Sequence, residues 1–261
     1  MSNSLNELKK YFYKNLFILN DQNSDINLIE DFSEADLVGV CNLCDIKGNE
    51  CNLMSGFSHT SDFNKLLQKN SDVKIKPIEN GNDTPIIFLL ENPGKDWNLH
   101  RNFFNKTLVF PRLNYWFGKI EDYLDNKKVA KNLEIFPESS NDAYANSFIH
   151  LMKKYNLSNV LVTNSVKCKP EKEERLPKER NIECMEMFLL KEIEIFKPQI
   201  IFCFDVSNTA KNLNNLRKNH PKQFENIQIY NLYHPKARFK KRNDIKENWY
   251  KVFDKALLSV N

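Results

Sequence analysis

The sequence predicts an α/β fold, a three-layer α/β/α sandwich in which a short central parallel sheet lies between two layers of helices. Four short apolar runs lead to this prediction, because each has the length and the β-branched or aromatic content of a strand. Helical stretches separate the runs, and strands that alternate with helices are typical of βαβ units whose sheet is covered on both faces. The four runs are Ile86–Leu90, Val160–Thr163, Gln199–Phe204 and Ile227–Leu232.

The first helix is predicted from apolar residues that recur at three- and four-residue steps. This pattern covers Asn3–Leu19 and indicates an amphipathic helix near the start of the chain. Residues 79–85, which include Gly81 and Pro85, have the composition of a turn-rich linker. The later helices are predicted at roughly 113–125, 143–155, 182–196 and 207–217.

Length and composition favour one well-cored domain, since the 261 residues are 41% apolar and 28% charged. We predict a single domain over residues 1–261, with a helical extension at about 1–35 and insertions at about 50–84 and 106–147. The chain has no run of about 18 apolar residues, and Met1–Asn6 is too polar for a signal peptide. A cytoplasmic protein is therefore expected, with no membrane partner and no evident obligate protein partner.

Four of the six cysteines form the strongest chemical signal in the chain. Cysteines in a reducing compartment are more often ligands or core residues than disulfides. Thiolates gathered from distant segments are typical of an iron–sulfur cluster or a zinc site, and both kinds of site remain open at this point. The cysteines are a close pair, Cys41 and Cys44, and a distant pair, Cys168 and Cys184.

A polar residue follows each of the four predicted strands. Parallel sheets bind ligands in the crevice at the carboxyl ends of their strands. Each residue alone has an ordinary explanation, such as a helix cap or a turn, but together they predict a site at one sheet edge. These residues are Glu91 with Asn92, then Asn164, Asp205 and His234.

A basic run follows the last of these residues. Such a run is either a solvated surface or the electrostatic signature of phosphate binding. Its position directly after His234 places it next to the site predicted at the sheet edge. The run consists of Lys236, Arg238, Lys240, Lys241 and Arg242.

Several of these segments together resemble the uracil-DNA glycosylase superfamily. Their order and spacing are most similar to its iron–sulfur branch, in which Gly-Glu-Ala/Gly-Pro-Gly follows the first strand. That branch has Thr-Asn-x-Val-Lys-Cys-Arg-Pro after the second strand and His-Pro-Ser after the last. The matching segments here are Leu90–Gly94, Val162–Pro170, Cys184 with Glu192–Ile201, and Tyr233–Lys236.

The resemblance implies a ligand set for the cysteines. In the iron–sulfur branch an N-terminal Cys-x-x-Cys, the Cys of Val-Lys-Cys and a later Cys hold the cluster. Cys41, Cys44, Cys168 and Cys184 match these four positions. We therefore predict a [4Fe–4S] cluster of structural role at one side of the sheet.

The resemblance also implies catalytic roles. Asn92 matches the position that holds Asn in the mismatch-specific branch, where it positions or activates water, and Glu91 matches the corresponding carboxylate of the iron–sulfur branch. Either residue could position the water, and one of them is expected to face the sugar; we favour Asn92, with Glu91 orienting the loop or the base. His234 matches the imidazole that stabilises the departing base.

Base recognition is implied for an amide and an aromatic side chain. Asn164 matches the amide that reads the base edge, and Phe103 or Phe104 is the candidate for stacking on the flipped base. The chain departs from the usual motifs, because Leu90 and Asp205 stand where Gly is usual. A base larger than uracil, or a modified one, is therefore an expected alternative substrate.

The predicted function is that of a DNA glycosylase that flips out a damaged, deaminated or modified base and hydrolyses its N-glycosidic bond. Two alternatives stay open from the sequence. One is an iron–sulfur nucleic-acid-binding protein of the same fold without glycosylase activity. The other is a zinc-stapled α/β hydrolase with a small-molecule substrate.

Overall fold

The computed structural model describes residues 2–19, 37–39, 53–54, 58–61, 64, 77–91, 143–169, 178–234 and 242–259. Its strands are β1 (Phe17–Leu19), β2 (Leu37–Gly39), β3 (Leu53–Met54), β4 (Ser58–His59), β5 (Ile86–Leu90), β6 (Val160–Asn164), β7 (Cys168–Lys169), β8 (Ile200–Cys203) and β9 (Gln228–Asn231). Its α-helices are α1 (Ser2–Leu16), α2 (Ala143–Lys154), α3 (Lys178–Cys184), α4 (Leu190–Phe196), α5 (Asn208–Asn219) and α6 (Arg242–Leu258).

The central sheet has the strand order β4-β6-β5-β8-β9. The last four strands run parallel, and β5 pairs with β6 on one side and with β8 on the other. All residues of β5, β6 and β8 are buried, as expected for a parallel sheet that is covered on both faces. The prediction of a parallel sheet from four apolar runs is confirmed.

The sheet has a fifth strand that was not predicted. β4 lies in the segment interpreted as a polar insertion and pairs antiparallel with β6. The buried His59 fixes this short strand, because its Nε2 is 3.0 Å from Asn159 Oδ1 and its Nδ1 is 2.8 Å from Ser61 Oγ. The Val160 N–H also donates to Thr60 Oγ1 at 3.0 Å. A strand of two residues is too short to show an alternating pattern.

The helix predictions need one correction and one extension. The predicted helix over Asn3–Leu19 ends at Leu16, and β1 follows it and pairs antiparallel with β2. The aromatic and β-branched residues Phe17 and Ile18 favour this strand. The helix predicted from about residue 182 begins at Lys178 and contains a π-helical segment, Met185–Leu189, between α3 and α4. The prediction at 113–125 lies outside the described residues.

Helices cover both faces of the sheet. On one face Phe88 of β5 packs against Phe148 of α2 and Phe253 of α6, with ring centroids 5.6 Å and 5.7 Å away. On the other face α4 covers β6, where Glu192 contacts Thr163, and α1 packs against α4. This arrangement is the predicted α/β/α sandwich. None of the helices in the described ranges is long and apolar enough to cross a membrane.

Candidate active site

The carboxyl edge of the parallel sheet brings together the polar residues that follow its strands. Asn164 ends β6, Glu91 follows β5, Asp205 lies just beyond β8, and His234 lies beyond β9. Because β6, β5, β8 and β9 are neighbours in that order, these residues form a row. Strands are about 4.8 Å apart, so the row spans roughly 14 Å.

The loops after β5 and β6 are joined by hydrogen bonds beyond the strand ends. The Ser165 N–H donates to the Leu90 carbonyl at 2.7 Å, and the Val166 N–H donates to the Glu91 carbonyl at 3.0 Å. The Ser165 hydroxyl donates to the same Glu91 carbonyl at 2.7 Å. These bonds fix the backbone of Glu91 relative to the end of β6, where Asn164 pairs with Leu90.

The Glu91 side chain is directed toward the start of α5. Its Oε1 accepts a hydrogen bond from Asn208 Nδ2 at 3.2 Å, and Asn208 is the first residue of that helix. The positive end of the helix dipole favours a carboxylate at this place. Glu91 is partly buried, and this hydrogen bond places its carboxylate at the start of α5, beside the site.

Asp205 combines structural and electrostatic roles at the edge. Its carboxylate accepts the N–H and the hydroxyl of Ser207 at 3.0 Å and 2.7 Å, and the N–H and the hydroxyl of Thr209 at 3.0 Å and 3.3 Å. Burial raises the pKa of Asp205, but these bonds and the charge of His234 outweigh it and lower the pKa overall. Asp205 is therefore an anion close enough to His234 to interact with it.

The segment that carries His234 is anchored on both sides. The Leu232 N–H donates to the Cys203 carbonyl at 2.8 Å and continues the pairing of β9 with β8. The indole N–H of Trp249, a buried residue of α6, donates to the Tyr233 carbonyl at 2.9 Å. These two bonds fix the position at which the partly buried His234 leaves the sheet edge.

A fully buried ion pair lies directly behind Asn164. Lys167 Nζ is 2.8 Å from each carboxylate oxygen of Glu192, 2.6 Å from Thr163 Oγ1 and 2.7 Å from the Asn164 carbonyl. The Thr163 hydroxyl donates to Glu192 Oε1 at 2.7 Å. Burial raises the pKa of Glu192, and the Lys167 charge and these hydrogen bonds oppose that effect.

Cys184 lies next to the same loop. It is buried, and its Sγ accepts the Lys167 N–H at 3.3 Å. Because Cys168 follows Lys167 in the chain, the fold brings the backbone of Cys168 close to Cys184. Backbone N–H donors to sulfur are a feature of iron–sulfur sites, so this donor arrangement fits a cluster thiolate.

A family model of the uracil DNA glycosylase superfamily matches residues 78–258, which is more than half of the chain. The chain belongs to the uracil DNA glycosylase superfamily. The matched range contains the four parallel strands and every residue of the edge described above. Members of this superfamily are typically DNA glycosylases that act on DNA, so membership favours that activity. A comparison with curated proteins finds no match.

Several residues that the sequence predicts for the site, for the cluster or for DNA binding lie outside the described part of the chain. For Cys168 and Arg242 the backbone is described but the side chain is not. Within the described ranges no three His, Cys, Asp or Glu side chains group as a metal site, and Cys41 and Cys44 are not in those ranges. The other implicated residues outside the description are Asn92, Phe103, Phe104, Lys236, Arg238, Lys240 and Lys241.

The sequence did not predict a role for three residues near this sheet edge. In the sequence Lys167 is one charged residue of the segment Val162–Pro170, and Glu192 is one charged residue of a predicted helix. Asn208 reads as a residue near a helix start. The apolar residues around each of the two charges could have indicated the ion pair. Lys and Glu are almost never fully buried unless they are paired.

Proposed function

We propose that this protein is a monofunctional DNA glycosylase that flips a base out of DNA and hydrolyses its N-glycosidic bond. The observation that carries the proposal is the row of Asn164, Glu91, Asp205 and His234 at the carboxyl ends of four adjacent strands. This row lies in a domain of a superfamily whose members are typically DNA glycosylases.

The chemistry requires groups at both ends of the breaking bond. The sugar gains oxocarbenium character, and the leaving base gains negative charge. On our proposal, Asn92 positions the attacking water, while Glu91, one of whose carboxylate oxygens accepts Asn208, orients the loop. His234 stabilises the departing base, and the Asp205 carboxylate interacts electrostatically with His234.

Recognition requires that the base leave the duplex. Unstacking costs a few kcal/mol, which stacking on an aromatic ring and hydrogen bonds to the base edge offset. We propose that Asn164 reads that edge and that Phe103 or Phe104 supplies the ring. The basic run from Lys236 to Arg242 would then contact phosphates beside the flipped nucleotide.

We further propose that the chain belongs to the iron–sulfur branch of the superfamily. Its [4Fe–4S] cluster would be held by Cys41, Cys44, Cys168 and Cys184. Support comes from the N–H that Cys184 Sγ accepts and from the closeness of Cys168 in the chain to that donor. When bound, the cluster supplies a covalent link between the N-terminal segment and the loop after β6, which couples cluster binding to folding.

Metal analysis after anaerobic purification tests the cluster. About four iron atoms per chain and absorbance near 400 nm are expected, and one zinc with no iron would contradict the proposal. Serine replacement of Cys184 should lower the iron content. Serine replacement of Cys203, a buried cysteine in β8 outside the ligand set, is the matched control.

The substrate is proposed to be a damaged, deaminated or modified base rather than uracil alone. Leu90 and Asp205 replace small residues of the usual motifs, and Lys236 replaces a serine, so the walls of the pocket differ. The test is single-turnover excision from duplexes that contain uracil, hypoxanthine, a mismatch or a bulky modified pyrimidine. Abasic sites are read as strand breaks after alkali.

We expect excision of at least one of these bases, and we expect His234→Ala to abolish most of it. DNA binding without any abasic product would overturn the proposal and identify a nucleic-acid-binding protein of the same fold. The Lys218→Ala variant, which removes an exposed charge of α5, is the control for a general effect of charge removal.

A further inference from the structure

The ion pair of Lys167 and Glu192 is buried as fully as the adjoining Asn164 and more deeply than the other residues of the edge. The side chains are 1% and 0% exposed, and Lys167 contacts the row of edge residues at the Asn164 carbonyl. Buried ion pairs are weak contributors to stability, because desolvation cancels much of the attraction. The position of this pair therefore calls for an explanation other than stability.

The Lys167 ammonium connects three parts of the fold. Its three donors face Glu192 on α4, Thr163 on β6, and the main-chain carbonyl of Asn164. The carbonyl and the side chain of Asn164 share one Cα atom, so fixing the carbonyl helps to fix the direction of the Cα–Cβ bond from which the amide extends. Lys167 thus holds the backbone that carries the Asn164 amide.

The backbone of the same short segment is fixed at each residue. The N–H groups of Ser165, Val166 and Lys167 donate in turn to Leu90, to Glu91 and to the Sγ of Cys184. Lys167 takes part in both the side-chain contacts and the backbone contacts of this segment. Its side chain holds Asn164, and its N–H contacts the cysteine sulfur.

We propose that Lys167 and Glu192 are positioning residues, which set the orientation of the Asn164 amide and link it to the Cys184 sulfur. Neither residue touches the substrate. This inference rests on the proposed function for the role of Asn164 in reading a base. The placement of the segment itself can be measured without any activity.

The test variant is Lys167→Met with Glu192→Gln, which removes both charges at similar volume and leaves no unpaired ion. A matched control is Lys191→Met with Glu194→Gln, because that pair is exposed and belongs to the same helix. We measure single-turnover excision, the dissociation constant for DNA, and hydrogen exchange of the amides of residues 165–167.

The buried double variant should lose roughly tenfold or more in excision, because a misplacement of about 1 Å can cost ~10²-fold. Its affinity for DNA should stay within about threefold, and amides 165–167 should exchange about tenfold faster while those of β8 do not change. The exposed control should match the wild type in all three measurements. Unchanged excision and exchange in the buried variant would overturn the inference.

A double-mutant cycle separates positioning from general destabilisation. Asn164→Ala should cost excision severely in the wild type but only about threefold in the buried double variant, because the amide there is already misplaced. If Asn164→Ala slows excision by the same factor in both backgrounds, the ion pair does not act through Asn164.

Two further outcomes are also decisive. If the buried double variant does not fold, Thr163→Val keeps the ion pair and removes one hydrogen-bond partner of Lys167. It should accelerate exchange at residues 165–167, and unchanged exchange there would overturn the inference. If the wild type excises no base, the proposed function fails, and the exchange measurement alone decides the positioning.

Discussion

Asp205→Ala is expected to destabilise the protein by an amount that depends on pH. The carboxylate accepts four hydrogen bonds from Ser207 and Thr209 at the start of α5, and Thr209 is fully buried. Loss of a helix-capping side chain costs about 0.5–2 kcal/mol, and a buried N–H left without an acceptor adds about 1 kcal/mol or more. We expect a loss of about 2 kcal/mol near neutral pH.

The pH dependence follows from the lowered pKa of Asp205. A carboxyl whose pKa is lower in the folded than in the unfolded state stabilises the fold when it is ionised. The stabilisation by the ionised Asp205 is fully present above pH 3.8, which is the usual pKa of the carboxyl. It is lost as the pH falls through the lower pKa of the folded state. The difference between wild type and variant should therefore be largest at neutral pH and shrink below about pH 4.

Urea unfolding followed by circular dichroism measures this difference at several pH values. Asp205→Asn keeps one acceptor oxygen but removes the charge, so it should lose less stability and lack most of the pH dependence. Asp83→Ala removes an exposed carboxylate and is the control. A difference under about 0.5 kcal/mol, or one that is the same at every pH, would refute the reasoning.

Two further predictions concern catalysis and DNA binding. Asn92→Ala, Glu91→Ala and His234→Ala should each slow single-turnover excision, with the largest loss, about 10²–10³-fold, at Asn92. The site assignment is wrong if none of the three loses tenfold while DNA binding is kept. Replacing Lys236 and Lys240 by alanine should weaken binding to all sequences and flatten the log–log salt dependence by about two units. An unchanged slope would mean that these lysines only face solvent.

The strands β5, β6 and β8 could be predicted because a strand buried on both faces needs apolar side chains at nearly every position. Ile86–Leu90 and Ile200–Cys203 therefore stand out even in a single sequence. β4 could not be predicted, since its two residues join the sheet through long-range contacts of His59 with Asn159. The end of α1 at Leu16 is likewise decided by pairing of β1 with β2.

The row of edge residues could be anticipated from topology alone. Parallel strands end at the same edge, so Glu91, Asn164 and His234 had to lie near one another once the strands were assigned. The contacts that orient these side chains could not be anticipated. Asn208 reaches Glu91 across 117 positions of sequence, and no local pattern marks such a pair.

The edge and the interior behind it follow different physical rules. Glu91, Asp205 and His234 remain partly accessible or rest on a helix start, where charge is stabilised by backbone dipoles. Behind Asn164 the protein places a lysine and a glutamate where water is excluded, so each charge depends on its partner. A charge that depends on one partner fixes that partner's geometry more strictly than a solvated charge can. The deepest ionic contact of the described structure therefore adjoins the amide that we propose to read the base.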